Sequence, residues 1–242
     1  MVSGIFLALL LLSPCSNSTR ADAEKGDSRQ VIEKYRYEAI AVESGEKIKE
    51  LIEMEWVIAE SGIRYFSRGM SAREVEEITI HMDPRGNFIS GVREVTDRLA
   101  GQVSLERVWR ENQVAYWQNG SPRTGSRKKF DLVREETLAV GGSFLFLLRS
   151  FPFNAQKEWK VFMVDFSGYS ARLTVRQAGR ERVAVPAGNF DCYRIDSIVA
   201  IPILRPRITY WISSRKPHFM VKHEGKRGPF TPSYQTTLLS FE

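Results

Sequence analysis

The sequence predicts a mainly β protein: a strongly curved antiparallel sheet, or an open barrel, with one short helix plugging it. Two observations carry this prediction. Apolar residues alternate with polar ones over several stretches, and clusters rich in Gly, Pro, Asn and Asp separate those stretches at short intervals. With 242 residues, 43% of them hydrophobic, the chain is long enough to bury a core within one domain.

Alternation in the first half of the chain predicts two strands. Residues 52–58 place Trp56 and three aliphatic side chains on one face, and residues 78–82 do the same around Ile80. Segment 43–51 fits either a helical turn or a long hairpin. The cluster at 83–87, which contains Pro and Gly, predicts a turn.

The second half of the chain continues the pattern. Residues 171–175 alternate Leu173 and its apolar neighbours with Arg and Thr, and Val183 and Val185 lead into the turn Pro186-Ala187-Gly188-Asn189. Further strands are predicted at 190–201, where Pro202 ends the strand, and at 208–213, 219–222 and 234–241.

The helix is predicted at 143–151, a nearly continuous apolar segment that follows Gly141-Gly142. Pro152 would end it, because proline disfavours helical geometry at the preceding residue. A buried strand is the alternative for this segment.

The N-terminus predicts export. Residues 5–12 are apolar and uncharged, too short to span a bilayer and typical of a signal-peptide core. Ala21-Asp22-Ala23 fits a cleavage site, which gives a signal peptide at 1–23, a linker at 24–33 and one β-rich domain at 34–242. We therefore expect a periplasmic or envelope-associated protein.

A second interpretation of the leader is lipidation. Leu12-Ser13-Pro14-Cys15 resembles a bacterial lipobox, although Pro14 stands where that motif has a small residue. The leader would then end at residue 14, and the protein would be membrane-anchored through Cys15. By either route Cys192 is the one cysteine left in the domain, so no intramolecular disulfide is expected.

Charge is spread unevenly along the chain. Residues 1–120 carry 15 Lys and Arg against 19 Asp and Glu, whereas residues 121–242 carry 20 against 10. A basic half suggests an acidic partner, and a solvated basic face is the simpler alternative. Because export makes nucleic acid an unexpected partner, anionic lipid headgroups or other acidic envelope polymers are the better class.

No motif for enzymatic chemistry is found. The sequence has no phosphate-binding Gly-rich loop, no dinucleotide fingerprint, no His-Glu-x-x-His and no Gly-x-Ser-x-Gly. His218 and His223 are five residues apart, which should place them on opposite faces of a continuous strand. We expect no metal site, no cofactor and no enzymatic activity, with Cys192 buried as a core residue rather than acting as a nucleophile.

Three segments carry a family resemblance: Leu147 to Phe153, Val185 to Ile195, and a hairpin formed by Tyr210 to Ser213 and Lys216 to Lys222. They resemble an uncharacterised family of exported bacterial envelope β-proteins, a domain of unknown function (DUF3108-like). The pattern is similar, more distantly, to the half-barrels that carry lipoproteins between bacterial membranes. The resemblance implies a curved antiparallel sheet and implies no activity.

Three functional hypotheses remain. The first is a non-enzymatic envelope protein that binds or carries an apolar or anionic amphiphilic ligand. Candidate ligand-binding residues are Trp159 and Trp211 for the chain and Arg205, Arg207 and Lys222 for the acidic head. The second is a cell-envelope assembly module that binds another protein without a small ligand. The third is a hydrolase whose site the motifs do not reveal.

Export gives the first testable prediction. A chain expressed with its own leader should lose that leader and fractionate with the cell envelope. Mass analysis of the new N-terminus should find either Glu24 or a lipidated Cys15. A full-length chain in the cytosol would contradict the prediction.

Overall fold

A computed structural model describes residues 30–43, 46–120, 125–133, 136–153, 155, 158–200, 206–226 and 232–242. The predicted leader, Cys15 and Arg205 lie outside these residues. The first described strand begins at Val31, within the segment expected to be linker.

Fifteen strands and one helix make up the described chain, in agreement with the predicted fold class. Their bounds are β1 Val31–Glu43, β2 Glu46–Ala59, β3 Gly62–Met70, β4 Glu74–Met82, β5 Phe88–Asp97, β6 Val103–Glu111, β7 Val114–Asn119, β8 Arg127–Asp131, β9 Thr137–Val140, α1 Ser143–Arg149, β10 Glu158–Val164, β11 Ser170–Val185, β12 Gly188–Val199, β13 Arg207–Ser213, β14 Met220–Lys226 and β15 Ser233–Phe241. None of the described helical residues form a segment long and apolar enough to cross a membrane.

All the strands belong to one curved sheet that is not closed into a barrel. Its order runs from β8 back to β1, then from β15 back to β9, so β1 and β15 meet at the centre and β8 and β9 are the ends. Neighbours pair antiparallel except β9 and β10, which pair parallel. The parallel pair arises because α1 carries the chain across between them, as a parallel connection requires.

The sequence-predicted elements are found in the structure. Of the two alternatives for segment 43–51, the hairpin is the correct one. Segment 43–51 is part of the hairpin of β1 and β2, in which Glu43 pairs with Glu46. The strand predicted at 171–175 continues through Val183 and Val185 as one strand of 16 residues, β11. A bulge between Gln177 and Gly179 lets this long strand bend.

Alternation gives the sheet an inner face, against which α1 packs, and an outer face. In β3 the buried residues Ile63 and Tyr65 alternate with the exposed residues Arg64 and Phe66. The buried side chains of neighbouring strands continue the inner face, and Trp56 lies directly opposite Tyr65. The hydrophobic core therefore lies between this concave surface and α1.

Side chains join the two ends of the sheet where backbone pairing does not. The indole Nε1 of Trp117 in β7 donates to the carbonyl of Phe166, at 2.6 Å, in the turn between β10 and β11. Lys128 in β8 donates to the carbonyl of Gly168, at 2.8 Å, in the same turn. These bonds hold the sheet in its rolled shape although its ends share no ladder.

Tight packing on the inner face restricts one glycine in particular. Gly142 has ordinary helical angles, so its backbone does not require glycine. A Cβ there would overlap the ring of Tyr65, and glycine is needed for close approach alone. The loop before α1 therefore lies directly on the sheet.

Replacing Gly142 tests this packing. Gly142→Ala should lower the free energy of unfolding by about 1–3 kcal/mol, because the added methyl group forces Tyr65 or α1 to move. Gly179→Ala is the matched control, since a Cβ at Gly179 meets no described atom within 4 Å. Urea denaturation of both variants measures the difference, and equal stability would contradict the packing argument.

Candidate functional site on the inner face of the sheet

Helix α1 is held against the inner face by its apolar side chains. Phe144 and Leu148 are buried, and the ring of Phe146 lies 5.3 Å from that of Trp56. No side chain caps its first turn, and Ser143 instead accepts the backbone N–H of Val140 through its hydroxyl, at 2.7 Å. A helix of seven residues is not stable by itself, so its packing against the sheet determines its position.

Arg149, at the end of α1, makes the charged contact of the helix. Its guanidinium lies 2.6 Å from the Glu33 carboxylate on β1, and both side chains are only about one-tenth exposed. A second guanidinium contact, 3.4 Å long, reaches the hydroxyl of Tyr35, which in turn donates to Glu33 at 2.9 Å. The guanidinium also lies over Trp56, 5.1 Å from the ring centroid. Three polar groups are thus enclosed by aromatic rings.

Arg149, Glu33 and Tyr35 form a triad. Because its members are enclosed, the loss of any one of them should lower the stability of the fold. Burial raises the pKa of Tyr35 well above its usual range, which keeps the hydroxyl protonated and able to donate. Removing one partner from a nearly buried ion pair leaves the other charge poorly compensated, which typically costs about 3–5 kcal/mol. The triad therefore fixes α1 relative to β1.

The inner face beneath α1 is filled by the protein's own side chains. Tyr37, Ile80 and Leu148 are essentially inaccessible to solvent. Phe166 packs close to Gly91 and Gly141, leaving little space between the sheet and the loop before α1. Two open depressions are also present, one of about 390 Å³ beside Asp83 and Arg110 and one of about 270 Å³ beside Lys34, Tyr35 and Phe66.

The sheet separates the residues predicted from sequence to bind a ligand. Trp159 in β10 lies 5.1 Å from the ring of Phe151, just after α1, on the inner side. Trp211 in β13 follows Tyr210, whose ring contacts Phe144 of α1, so Trp211 points to the outer face. Arg207 and Lys222 share that outer face with Trp211, and Arg205 lies outside the described residues.

The outer-face members are already engaged with acidic side chains. The Trp211 indole donates to Glu181 at 2.6 Å, and the Lys222 ammonium lies over the Trp211 ring, 4.7 Å from its centroid. Lys222 also pairs with Glu224 at 2.7 Å, and Arg207 lies 3.5 Å from Asp196. These side chains form a local network, and Trp159 is not part of it.

A second polar cluster on the inner face escaped the sequence analysis. Arg93 in β5 lies 2.5 Å from Glu76 and 3.5 Å from Glu106, all three being at most about one-quarter exposed. Burial raises the pKa of Glu106 despite the opposing charge of Arg93. Arg93 faces Ile78 of β4 on one side and Glu106 of β6 on the other. This arrangement depends on the register of three strands, so the sequence of any one strand could not predict it.

Cys192 lies in the core, as the sequence indicates. It is 1% exposed, and its Sγ lies 3.6 Å from the carbonyl of Phe190. Burial, reinforced by the nearby charges of Asp191 and Glu181, raises the pKa of the thiol to about 12. A thiol with such a pKa is not a nucleophile near neutral pH.

The histidines differ from expectation in one respect. His218 contacts the ring of Phe153 and His223 that of Tyr210, so both face the inner side. The prediction of opposite faces was wrong because β14 begins only at Met220, and His218 lies in the preceding turn with φ of 40°. Within the described part of the chain, no three His, Cys, Asp or Glu side chains are grouped to hold a metal ion.

Comparison with known proteins finds little. No family model and no curated protein matches the chain, so its resemblance to the domain of unknown function is not confirmed. A candidate lipoprotein from Parabacteroides distasonis overlaps with a TM-score of 0.34 at 12% identity, covering 87% of this chain and 94% of that one. A candidate outer membrane lipoprotein-sorting protein domain from Vibrio parahaemolyticus overlaps with a TM-score of 0.24 at 10% identity, covering 87% and 84%. Both scores are below 0.5.

The buried thiol gives a prediction for the chain that begins at Glu24, in which Cys192 is the one cysteine. Native protein should react with a thiol reagent far more slowly than protein unfolded in denaturant, and raising the pH from 7 to about 9 should accelerate the native reaction little. Cys192→Ala should cost on the order of 1 kcal/mol of stability. Rapid labelling of the native protein would make the nucleophile hypothesis viable again.

Proposed function

We propose that the protein is a non-enzymatic envelope protein that binds an anionic amphiphile on its inner face, with α1 occupying that place when no ligand is bound. The observation that carries the proposal is the construction of the helix. It is short, almost wholly apolar and uncapped by any side chain, and it is anchored by the Arg149–Glu33 ion pair. The helix packs against the hydrophobic core on the inner face of the sheet.

The chemistry of the anchor favours an acidic head over a neutral one. A carboxylate or phosphate on a ligand could replace Glu33 at the Arg149 guanidinium, which binds both kinds of anion well. The acyl chain would then lie among the rings that α1 now covers, near Trp56 and Phe151, with Trp159 at the margin. Displacing the helix would lower the apparent affinity, because only the open fraction of the protein can bind.

This proposal differs from the sequence-based one in the position of the head. The sequence suggested Arg205, Arg207 or Lys222, but Arg207 and Lys222 are on the outer face and paired with acids. Arg149 was not proposed because its partner Glu33 is far away in the chain, and no local motif connects them. The filled inner face also suits the alternative, an assembly module that binds a protein partner.

Substitutions of each partner in the Arg149–Glu33 ion pair test the proposal. Wild-type protein should bind a fluorescent fatty acid, with a change in Trp emission, and should bind the matching fatty alcohol more weakly. Glu33→Gln removes the competing carboxylate and loosens α1, so affinity for the fatty acid should rise by roughly fivefold or more. Arg149→Gln should abolish the preference for the acid over the alcohol, because it removes the cation.

Control variants separate a specific effect on the Arg149–Glu33 ion pair from a general loosening of the fold. Arg172→Gln breaks the ion pair with Glu136, which lies away from α1, and should leave both affinities unchanged. If Glu33→Gln unfolds, Phe146→Leu weakens the helix contact with Trp56 and keeps the ion pair. Should all folded variants bind neither probe, the carrier proposal fails and the assembly module becomes the leading hypothesis.

A further inference from the structure

The outer face at one end of the sheet carries a cluster of rings and cations with no role in the proposal above. We call it the β6–β8 patch, and it consists of Arg107, Trp109, Tyr116, Arg127 and Lys129. Trp109, Tyr116 and Lys129 lie directly opposite one another across the three strands. The rings of Trp109 and Tyr116 are stacked, with centroids 5.3 Å apart and planes 16° from parallel.

Arg127 covers both rings. Its guanidinium lies 5.0 Å from the centroid of Trp109 and 4.7 Å from that of Tyr116. It is exposed, and no carboxylate pairs with it among the residues that the structure describes. The aromatic surface orients the guanidinium but does not neutralise its charge.

Arg107 lies at the other side of the patch, on β6, two strands away from Arg127 on β8. It lies opposite Gln118, which lies opposite Arg127, so the two arginines stand roughly 10 Å apart. Arg107 is exposed, and within the described ranges it too has no ion pair. Beside it, on β5, Val92 is a partly exposed apolar residue, 38% accessible.

No described acid of the region forms an ion pair with Arg107 or Arg127. Glu111 accepts the indole N–H of Trp109 at 3.0 Å, and Asp131 pairs with Lys129 at 3.1 Å. The guanidinium groups of Arg107 and Arg127 therefore have no ion-pair partner among the described residues, and they lie beside aromatic and aliphatic surface. This combination complements a surface that is negatively charged at its polar layer and apolar just beneath.

We propose that the β6–β8 patch docks the protein onto an anionic phospholipid bilayer. The guanidinium groups of Arg107 and Arg127 would contact lipid phosphates, and Trp109 and Tyr116 would lie at the headgroup level, where amphipathic rings are favoured. Single-stranded nucleic acid fits less well. Its bases bind by stacking on open ring faces, whereas these rings stack on each other and beneath Arg127.

Docking is independent of ligand binding on the inner face, because the sheet lies between the two surfaces. Variants in the β6–β8 patch should therefore leave fatty-acid affinity unchanged. Conversely, failure of the fatty-acid experiment says nothing against the docking surface.

Vesicle co-sedimentation tests the proposal. The chain that begins at Glu24, which lacks both the apolar leader and Cys15, should bind phosphatidylcholine vesicles that contain phosphatidylglycerol and should not bind vesicles of phosphatidylcholine alone. High salt should release it. Arg107→Gln and Arg127→Gln should each lower the affinity by roughly fivefold, and the double variant by the product. Trp109→Ala should lower it while leaving the salt dependence in place.

A matched control comes from the same face. Arg68→Gln removes an exposed outer-face cation that is paired with Glu77 at 3.3 Å, and binding should not change. Melting temperatures establish that each variant is folded. If Arg127→Gln does not fold, Lys129→Gln takes its place in the experiment. Unchanged binding by the folded double variant would overturn the proposal, as would tighter binding to single-stranded DNA than to the anionic vesicles.

Discussion

The constraint on which this structure depends is that one curved sheet must bury its entire inner face with very little other material. The described chain supplies a single seven-residue helix for the purpose, together with the large side chains of the sheet itself. Burying a side chain such as Phe144 or Leu148 is worth about 1.5–3 kcal/mol, so α1 contributes a substantial part of the stability of the whole fold. Among the helices and strands that the structure describes, α1 alone does not belong to the sheet ladder. The residues of α1 that complete the hydrophobic core are therefore also the ones that would have to move if the inner face opened.

Local patterns predicted what depends on local geometry. The turn at Pro186-Ala187 follows from turn chemistry, and α1 follows from an apolar run between Gly142 and Pro152. The burial of Cys192 follows from its place in an alternating strand. In each case the decisive residues are within a few positions of one another.

What the sequence could not predict depends on register and on distance along the chain. Arg149 and Tyr35 are 114 residues apart, and no period or motif connects them. Trp211 and Tyr210 are adjacent aromatic residues, so hydrophobicity alone could not decide which one faces α1. The parallel pair of β9 and β10 likewise became evident only once α1 was seen to cross between them. The candidate site is therefore less predictable than the strands that build it.

The position of β1 and β15 at the centre of the sheet has a consequence for how the protein folds. Strands β1 to β8 and β10 to β15 are two ladders of sequential hairpins, each able to form from near neighbours. The central pair instead joins residues as distant as Tyr35 and Phe241, so its formation must overcome the entropy of closing a very long loop. Glu33 belongs to the first ladder, whereas Arg149 precedes β10 of the second. Their ion pair therefore joins the segment between the two ladders to the first strand of the first ladder, and it forms only when α1 has docked on the sheet.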